Sequence, residues 1–466
     1  MMSLNNAKTE PQDEPIFKVG APLAVIDGIS FAGGQEWSNW FGNQKSQPER
    51  TYYPNTVEDL QAIVRHANED NKKIRCVGSG HSWSPMAKTD DYLVTMNNLN
   101  KIHDPVKGRT VSGEEQWTVQ VEMGVTVEEL NQFLTKHDPP LSPITMVRVG
   151  GLLTMGTHGP ILAGQSLSDQ VTELVIVNGK GELVTYSEAK DPAAFSTAGV
   201  SLGALGIIYT AKLKLVPTPV VRTTDVFTSY DEVLRPEALK EFILGSEGFE
   251  ILQHPFKPNC RELNPDIFYR RWEKTNERIE TEEEIAAYFA KPLTVDHPFF
   301  TGVRPGVRHS TLTNSFHFVV SDGSSKFYDC SLAFKVNDDF SNASEAFKDL
   351  IRLNNEFSSA APGRELTVVE SRFSRASSKI MSQIYDEDPK AIYMQFNIMA
   401  ADAVPGFYDF MIDSATYLTK KYNCLPHWGK TWEDIPEIYT TLRRGYGDRL
   451  KKFNKLRKEQ DPNDLF

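Results

Sequence analysis

At two places in the first half of the chain, apolar residues recur at helical spacing behind a hydroxyl cap. Thr56 precedes Glu58 and Asp59, and Leu60, Ile63, Val64 and Ala67 then fall on one face. Lys72 and Lys73 close this predicted helix. Thr126 and Glu129 form a second capping box, ahead of Leu130, Phe133 and Leu134. Short apolar runs around these helices predict strands at residues 75–77, 173–178, 183–186 and 209–216. Gly179-Lys180-Gly181-Glu182 is the hairpin turn between two of them, and the first strand runs straight into Gly78. Pro217 and Pro219 end this pattern, and a domain boundary is expected there.

From 218 to 424 the texture changes. Aromatic residues are more frequent, and longer helices mix with alternating strands. The pattern predicts a charged helix over residues 277–291 and strands at 315–320 and 391–398. The last forty residues contain Pro426, the His427-Trp428 pair and a basic helix over 437–458. Internal repeats and low-complexity blocks are absent.

The length of 466 residues exceeds a single core and fits two domains. An apolar fraction of 40% with 24% charged residues is that of a soluble globular protein. A net charge of −12 disfavours nucleic acid and anionic lipid as partners. The basic residues of the last helix, from Arg443 to Lys458, therefore read as a solvated face packed back on the first domain. No apolar run reaches bilayer length, and residues 1–15 lack the basic start and apolar stretch of a secretory signal. The expected location is cytoplasmic or otherwise soluble, with secretion and peripheral membrane association left open. The sequon Asn342-Ala343-Ser344 weighs slightly against the cytosol. Cys76, Cys260, Cys330 and Cys424 are scattered, which suits neither a disulfide framework nor a metal site. No pair of histidines has ligand spacing, so no metal is predicted, and His66 reads as a packing or surface residue.

Three glycine-rich segments carry the candidate chemistry. Gly78-Ser79-Gly80-His81-Ser82 follows a strand, so its backbone N–H groups can approach a phosphate while Ser79 and Ser82 add hydroxyls. It is not the dinucleotide fingerprint, because the third glycine and the following helix are missing. The second segment runs from Val149 through Gly150, Gly151, Gly156, Thr157 and His158 to Gly159. The third runs from Ser201 through Gly203 and Gly206 to Ile208. Three such segments on one α/β region suggest backbone wrapped around an extended anionic cofactor.

The run Val77–Ser82, with Leu99-Asn100-Lys101-Ile102 after it, closely resembles the sugar-lactone and alditol oxidases. These belong to the vanillyl-alcohol-oxidase and p-cresol-methylhydroxylase type. Asn39-Trp40 and Tyr53-Pro54-Asn55-Thr56 resemble the same family's entry into its FAD domain. The two later glycine segments match in order. Glu370-Ser371-Arg372-Phe373 is similar to the family's Glu-x-Arg motif, Pro426-His427-Trp428-Gly429-Lys430 to its His-Trp-x-Lys motif, and Asp461-Pro462 to the end of its last helix. The likeness spans about residue 36 to the C-terminus and is weakest from 218 to 360.

This resemblance implies an α+β fold in two parts. An FAD-binding domain of residues 1–217 is completed by 425–466, and a cap domain of residues 218–424 places an antiparallel sheet over the flavin. It implies FAD, 8α-linked to His81, with Gly78, Ser79, Gly80, Ser82, Gly150, Gly151, Gly156, Thr157, His158, Gly206, Ile208, His427 and Lys430 around the cofactor. Glu370, Arg372 and Lys430 are the implied catalytic residues: Arg372 and Lys430 to stabilise charge on the reduced flavin, and Glu370 to orient hydroxyls or accept a proton. Glu370 and Arg372 are two apart, so on a strand they share a face. From spacing alone they read as a surface ion pair, and the family match reverses that reading. His427 and Trp428 shape the flavin edge or pack the core. Gln395 is a further candidate for the same cavity.

The implied reaction is oxidation of an aldonolactone of gulono-, galactono-, arabinono- or gluconolactone type, with oxygen reduced to hydrogen peroxide, as in ascorbate-type biosynthesis. The alternatives are a xylitol-type alditol oxidase and a lactone dehydrogenase with a cytochrome acceptor. Two further readings are a flavoprotein without turnover and an oxidase of larger apolar substrates. The retained Glu370, Arg372 and Lys430 speak against both.

Overall fold

The computed structural model describes residues 23–110, 112–134, 136, 149–215, 219–256, 262–289, 305–315 and 326–466. The capping signals read from the sequence are formed. Asp59 N donates to Thr56 Oγ1 at 3.1 Å while Asp59 Oδ2 accepts from Thr56 N, and the helix Val57–Asp70 follows. It stops at Asp70 because Asn71 turns left-handed (φ +53°), ahead of the expected Lys72 and Lys73. Thr126 and Glu129 exchange the same pair of bonds at the head of the helix Val127–Leu134.

Two five-stranded sheets carry the first half. One runs in the order Ala24–Ile26, Ile29–Gly33, Arg50–Tyr53, Tyr92–Thr95, Ile74–Val77, with its last two pairings parallel. The other is antiparallel, in the order Leu183–Ser187, Val171–Val177, Ile207–Leu215, Glu115–Glu122, Val106–Arg109. Their apolar faces merge in one continuous core with the helix Val57–Asp70.

The second half builds an eight-stranded antiparallel sheet. Its order is Gly306–Thr311, Val220–Ser229, Asp266–Lys274, Gly248–Gln253, Thr367–Arg375, Ile392–Ala401, Phe327–Lys335, Leu425–Pro426. The helices Ser341–Ala360 and Phe407–Tyr422 pack beside it through Phe347, Leu350, Met411 and Leu418. The architecture is α+β, as the family resemblance implied. The chain then returns to the first half. Gly179 N donates to Gln460 O at 2.9 Å and Ile74 N to Leu465 O at 2.8 Å, which fastens the end of the basic helix Ile438–Gln460 and the tail after it.

Two expectations change. The charged helix begins at Glu282 rather than 277, because Thr281 and Glu284 form a capping box there: Glu284 N donates to Thr281 Oγ1 and Thr281 N to Glu284 Oε2. It is described to Phe289, and residues 290 and 291 lie outside the described residues. Ser315 does not open a strand; it ends the short helix Leu312–Ser315, where its hydroxyl donates to Leu312 O at 2.7 Å. The rest of that predicted strand, Pro217 at the expected domain boundary and Cys260 also lie outside the described residues. Asn342 of the sequon lies in the first turn of the helix Ser341–Ala360, and its amide donates to Lys335 O.

Gly206 is a backbone requirement. Its φ is +129°, and a Cβ there would lie 2.2 Å from Val177 O. Gly206→Ala is therefore expected to destabilise the fold by at least ~1–3 kcal/mol, read as a lowered Tm.

Candidate active site

The strand Ile74–Val77 delivers the chain into the Gly78–Ser82 loop, which bends at Gly80 with φ +69°. Neighbours hold this loop from two sides. Trp40 N donates to Gly80 O at 2.9 Å, and the Trp40 ring stacks on the His81 imidazole at 5.1 Å and 29°. Asn39 Nδ2 donates to Ser82 O at 2.9 Å. Next in the chain, Trp83 N donates to Gly429 O at 2.9 Å. The loop bearing His81 and the motif His427–Lys430 are therefore hydrogen-bonded neighbours.

The second and third glycine segments lie against one another, since Leu202 N donates to Thr154 O at 3.2 Å. Gly150 and Gly151 sit in the first turn of the helix Val149–Met155, and Gly156 ends it with φ +66°. Thr157 N donates to Leu152 O, and His158 follows, buried. Ile208 is buried on its strand opposite Ile176. Gly206 fits its place for packing, through the approach to Val177 O.

His158 and His427 meet edge to face, with ring centroids 5.8 Å apart. Gly429 N donates to His427 Nδ1 at 3.0 Å, which leaves the proton of the neutral ring on Nε2. His158 Nε2 lies 3.1 Å from Gln383 Nε2; with the amide as donor, the His158 proton sits on Nδ1. Burial, then the positive charges of Arg372 and Lys430, push the His158 imidazole down to about 3. Burial, then His158 and Lys430, hold His427 well below the ordinary range. Both rings are neutral.

Glu370 and Arg372 lie on the strand Thr367–Arg375 and share a face. Arg372 Nε donates to Glu370 Oε1 at 2.5 Å, and Asn397 Nδ2 donates to Glu370 Oε2 at 2.8 Å. Lys430 Nζ pairs with Asp329 and lies 4.2 Å above the Trp83 ring. In each pair the carboxylate is buried (3% exposed for Glu370, 5% for Asp329) while the cation protrudes at 26% for Arg372 and 27% for Lys430. Two oriented cations thus reach open space beside a pair of neutral imidazoles.

The residues fit a flavin dinucleotide. His158 Nδ1 and Ser201 Oγ are buried donors with no protein partner. A Cβ on Gly151, Gly159 or Gly203 would meet nothing within 4 Å, so backbone borders open space there. Unpaired donors beside bare backbone suit an acceptor-rich, phosphate-bearing cofactor.

The structure thus gathers His81, His158, Glu370, Arg372, His427 and Lys430. Trp428 packs in the core, stacked on Tyr446 at 5.3 Å with its Nε1 bonded to Met381 O. His66 is a buried packing residue paired with Asp27. Gln395 stands opposite Arg372 on the neighbouring strand, on the same face of the sheet; it is fully buried, and its amide donates to Ser374 Oγ.

Sequence reasoning missed Glu250, Asn397, Asp329 and Gln383. It also missed the buried pair in which Arg270 grips Asp225 through Nε (2.7 Å) and Nη2 (2.8 Å). The register pairs Glu250 with both Arg372 and Arg270, and Glu370 with Asn397. Alternation within one strand could have flagged a polar inward face, but only cross-strand pairing shows its partners. Arg270→Ala would leave Asp225 and Glu250 buried without their shared cation. The expected cost is about 3–5 kcal/mol in a denaturation experiment.

Comparison with known proteins bears on the cofactor domain and the family. Residues 48–187 match the family model for an FAD binding domain, so the chain carries one. Residues 211–466, more than half the chain, match the model for D-arabinono-1,4-lactone oxidase. D-Arabinono-1,4-lactone oxidase of Eremothecium gossypii is 33% identical over 244 residues, covering 51% of this chain and 44% of that protein. The chain thus spans less than half the length of that relative. L-Gulonolactone oxidase of Mus musculus is 25% identical over 452 residues, covering 93% of this chain and 96% of that one. Among solved structures, cholesterol oxidase from B. sterolicum aligns with a TM-score of 0.75 over 96% of this chain and 98% of that chain. At 18% identity, that is a likeness of fold alone. Fold, cofactor domain and the match across the second half together place this chain in the D-arabinono-1,4-lactone oxidase family.

Proposed function

We propose that this protein oxidises a ring hydroxyl of a sugar-derived aldonolactone and passes the two electrons to molecular oxygen, releasing hydrogen peroxide. We read residues 1–217 with 425–466 as the FAD domain and 218–424 as the cap that holds the lactone. Bound by these residues, FAD would supply the two-electron acceptor for the carbinol carbon and the route for those electrons to oxygen. The balance is one alcohol and one oxygen molecule giving one ketone and one peroxide, so the hydroxyl proton must also leave.

The residues divide this work. His81, held flat under Trp40, is the attachment point for the flavin. Arg372 and Lys430 offer fixed positive charge where negative charge develops, and as part of the fold they cost little reorganisation during the reaction. The Arg372 fork can also hold a lactone oxygen. Glu370 is fixed by Arg372 and Asn397, which leaves its remaining lone pairs to orient a hydroxyl and receive its proton. Neutral His158 donates through Nδ1 to a cofactor acceptor, and Gly78, Ser79, Gly80, Ser82 and the Gly150–Thr157 segment line the dinucleotide.

One observation carries this reading: the two protruding cations stand beside the His158–His427 pair, next to the loop that bears His81. A flavoprotein without turnover would not need cations left partly open to the site while their carboxylates are buried. A screen of gulono-, galactono-, arabinono- and gluconolactones, with xylitol and sorbitol alongside, tests it by peroxide release. Lactone-dependent peroxide is expected. Turnover with polyols alone would reassign the substrate, and reoxidation by cytochrome c but not by air would reassign the acceptor. No turnover with any of them would overturn the proposal.

A further inference from the structure

One buried acid has no part in this reaction scheme. Glu250 is 0% exposed on the strand Gly248–Gln253, and neither of its carboxylate oxygens has a hydrogen-bond partner. It stands between two cations, Arg270 Nη1 at 3.5 Å and Arg372 Nε at 3.9 Å. Arg270 is already engaged, because it chelates Asp225, which also receives Arg308 Nη2 at 3.2 Å. Arg372 is likewise already bonded to Glu370. Asp225, Arg270, Glu250 and Arg372 stand opposite one another on four neighbouring strands, and Arg308 and Glu370 extend this row of ion pairs at its two ends. Ionised Glu250 is the third carboxylate among three guanidinium groups, and neutral Glu250 leaves the row one positive charge richer.

The strand is also joined to the flavin side. Phe249 N donates to Pro160 O at 3.3 Å and Leu162 N to Glu247 O at 2.8 Å, so the segment after His158 docks on the strand that carries Glu250. A Cβ on Gly248 would lie 2.8 Å from both Pro160 O and Ile161 Cδ1. This contact is therefore close, and it fixes Glu250 relative to His158.

We propose that Glu250 is a positioning residue that shares Arg372 with Glu370, so that its ionisation sets how much of the Arg372 charge is left for the flavin and the lactone. This rests on the reading of Arg372 given above. Burial raises the Glu250 carboxyl, and Glu370 and Asp225 raise it further, while Arg270 and Arg372 pull it down; the outcome is a value of about 7. Below neutrality Glu250 is uncharged, and Arg372 answers to Glu370 alone. Above neutrality a second carboxylate opposes Arg372. The charge available to the reaction is then smaller, and hydride transfer slows.

The test is anaerobic reduction of the holoenzyme's flavin by the preferred lactone across pH 5–9, in wild type and in Glu250→Gln. Wild type should show a limb that falls above neutrality. Glu250→Gln is neutral at every pH and should lack that limb, so that its ratio of rates at pH 8 and pH 6 exceeds that of wild type by about tenfold. The effect belongs in the saturated rate rather than the half-saturation concentration if Glu250 acts through Arg372 on the developing charge. An unchanged limb in the variant overturns the proposal.

A purely structural role would move only stability. Because the folded carboxyl is raised, wild type should lose stability relative to Glu250→Gln as pH climbs from about 5 to 8. If the variant does not fold, infrared difference spectra of wild type between pH 6 and 8 decide. Loss of a protonated carboxyl band supports the proposal, and its absence overturns it. If no lactone reduces wild type, the proposed function fails. The pH dependence of the flavin midpoint potential, steeper across neutrality in wild type than in the variant, then tests Glu250 separately.

Discussion

Arg372→Ala should lower the rate of lactone-driven flavin reduction by about 10²–10³-fold, the usual cost of removing one preorganised charge from a developing anion. The arginine does two things at once. Its Nε bond fixes the Glu370 carboxylate, and its outward part carries the charge. Arg372→Lys separates these roles. A lysine restores a point charge but not the planar fork, so a partial recovery of rate with poor recovery of half-saturation is expected. Lys430 has a different support, the Asp329 carboxylate and the face of Trp83, so Lys430→Met should cost rate without disturbing Glu370. Stopped-flow reduction of the three variants under anaerobic conditions measures all of this. A rate in Arg372→Ala within threefold of wild type would remove Arg372 from the site.

The second large effect is at His81. With the flavin attached at His81 as proposed, wild-type protein precipitated with acid should keep its yellow colour in the pellet. His81→Ala should release all of it to the supernatant. The substitution also removes the ring on which Trp40 stacks, so looser flavin binding and a lower Tm are expected along with loss of the bond. Wild-type colour that washes into the supernatant would show FAD held without a covalent link, and the roles of Arg372 and Lys430 would stand unaffected.

Much of the local structure was legible in the chain. Thr56 with Asp59 and Thr126 with Glu129 announced their helices because a capping box is a contact between residues three apart. The alternation that placed Glu370 and Arg372 on one face needed only the two-residue period of a strand. Errors arose where local signals competed. Residues 277–281 carry helix-forming charge, yet Glu280 N donates to His309 O, and the helix waits for the cap at Thr281. The basic stretch after 437 packs back on the first half, as its setting in an acidic chain suggested, and its tail is bonded to Ile74 and Gly179.

Residue types and short-range spacing therefore determined, without the fold, the caps, the strand faces and the glycine segments, and the resemblance to a known family added the motifs of a flavin oxidase. They could not say that Trp83 bonds Gly429, that Asp329 holds Lys430, or that His158 meets His427. Each of those contacts joins positions far apart in sequence, and only sheet register and the return of the C-terminal segment bring them within bonding distance. Glu250 shows the limit most clearly. In the chain it is an acid in an apolar strand; among Arg270, Arg372 and Asp225 it becomes a buried group whose charge depends on its surroundings. Ionisation follows local dielectric and neighbouring charge, and both are properties of the folded chain.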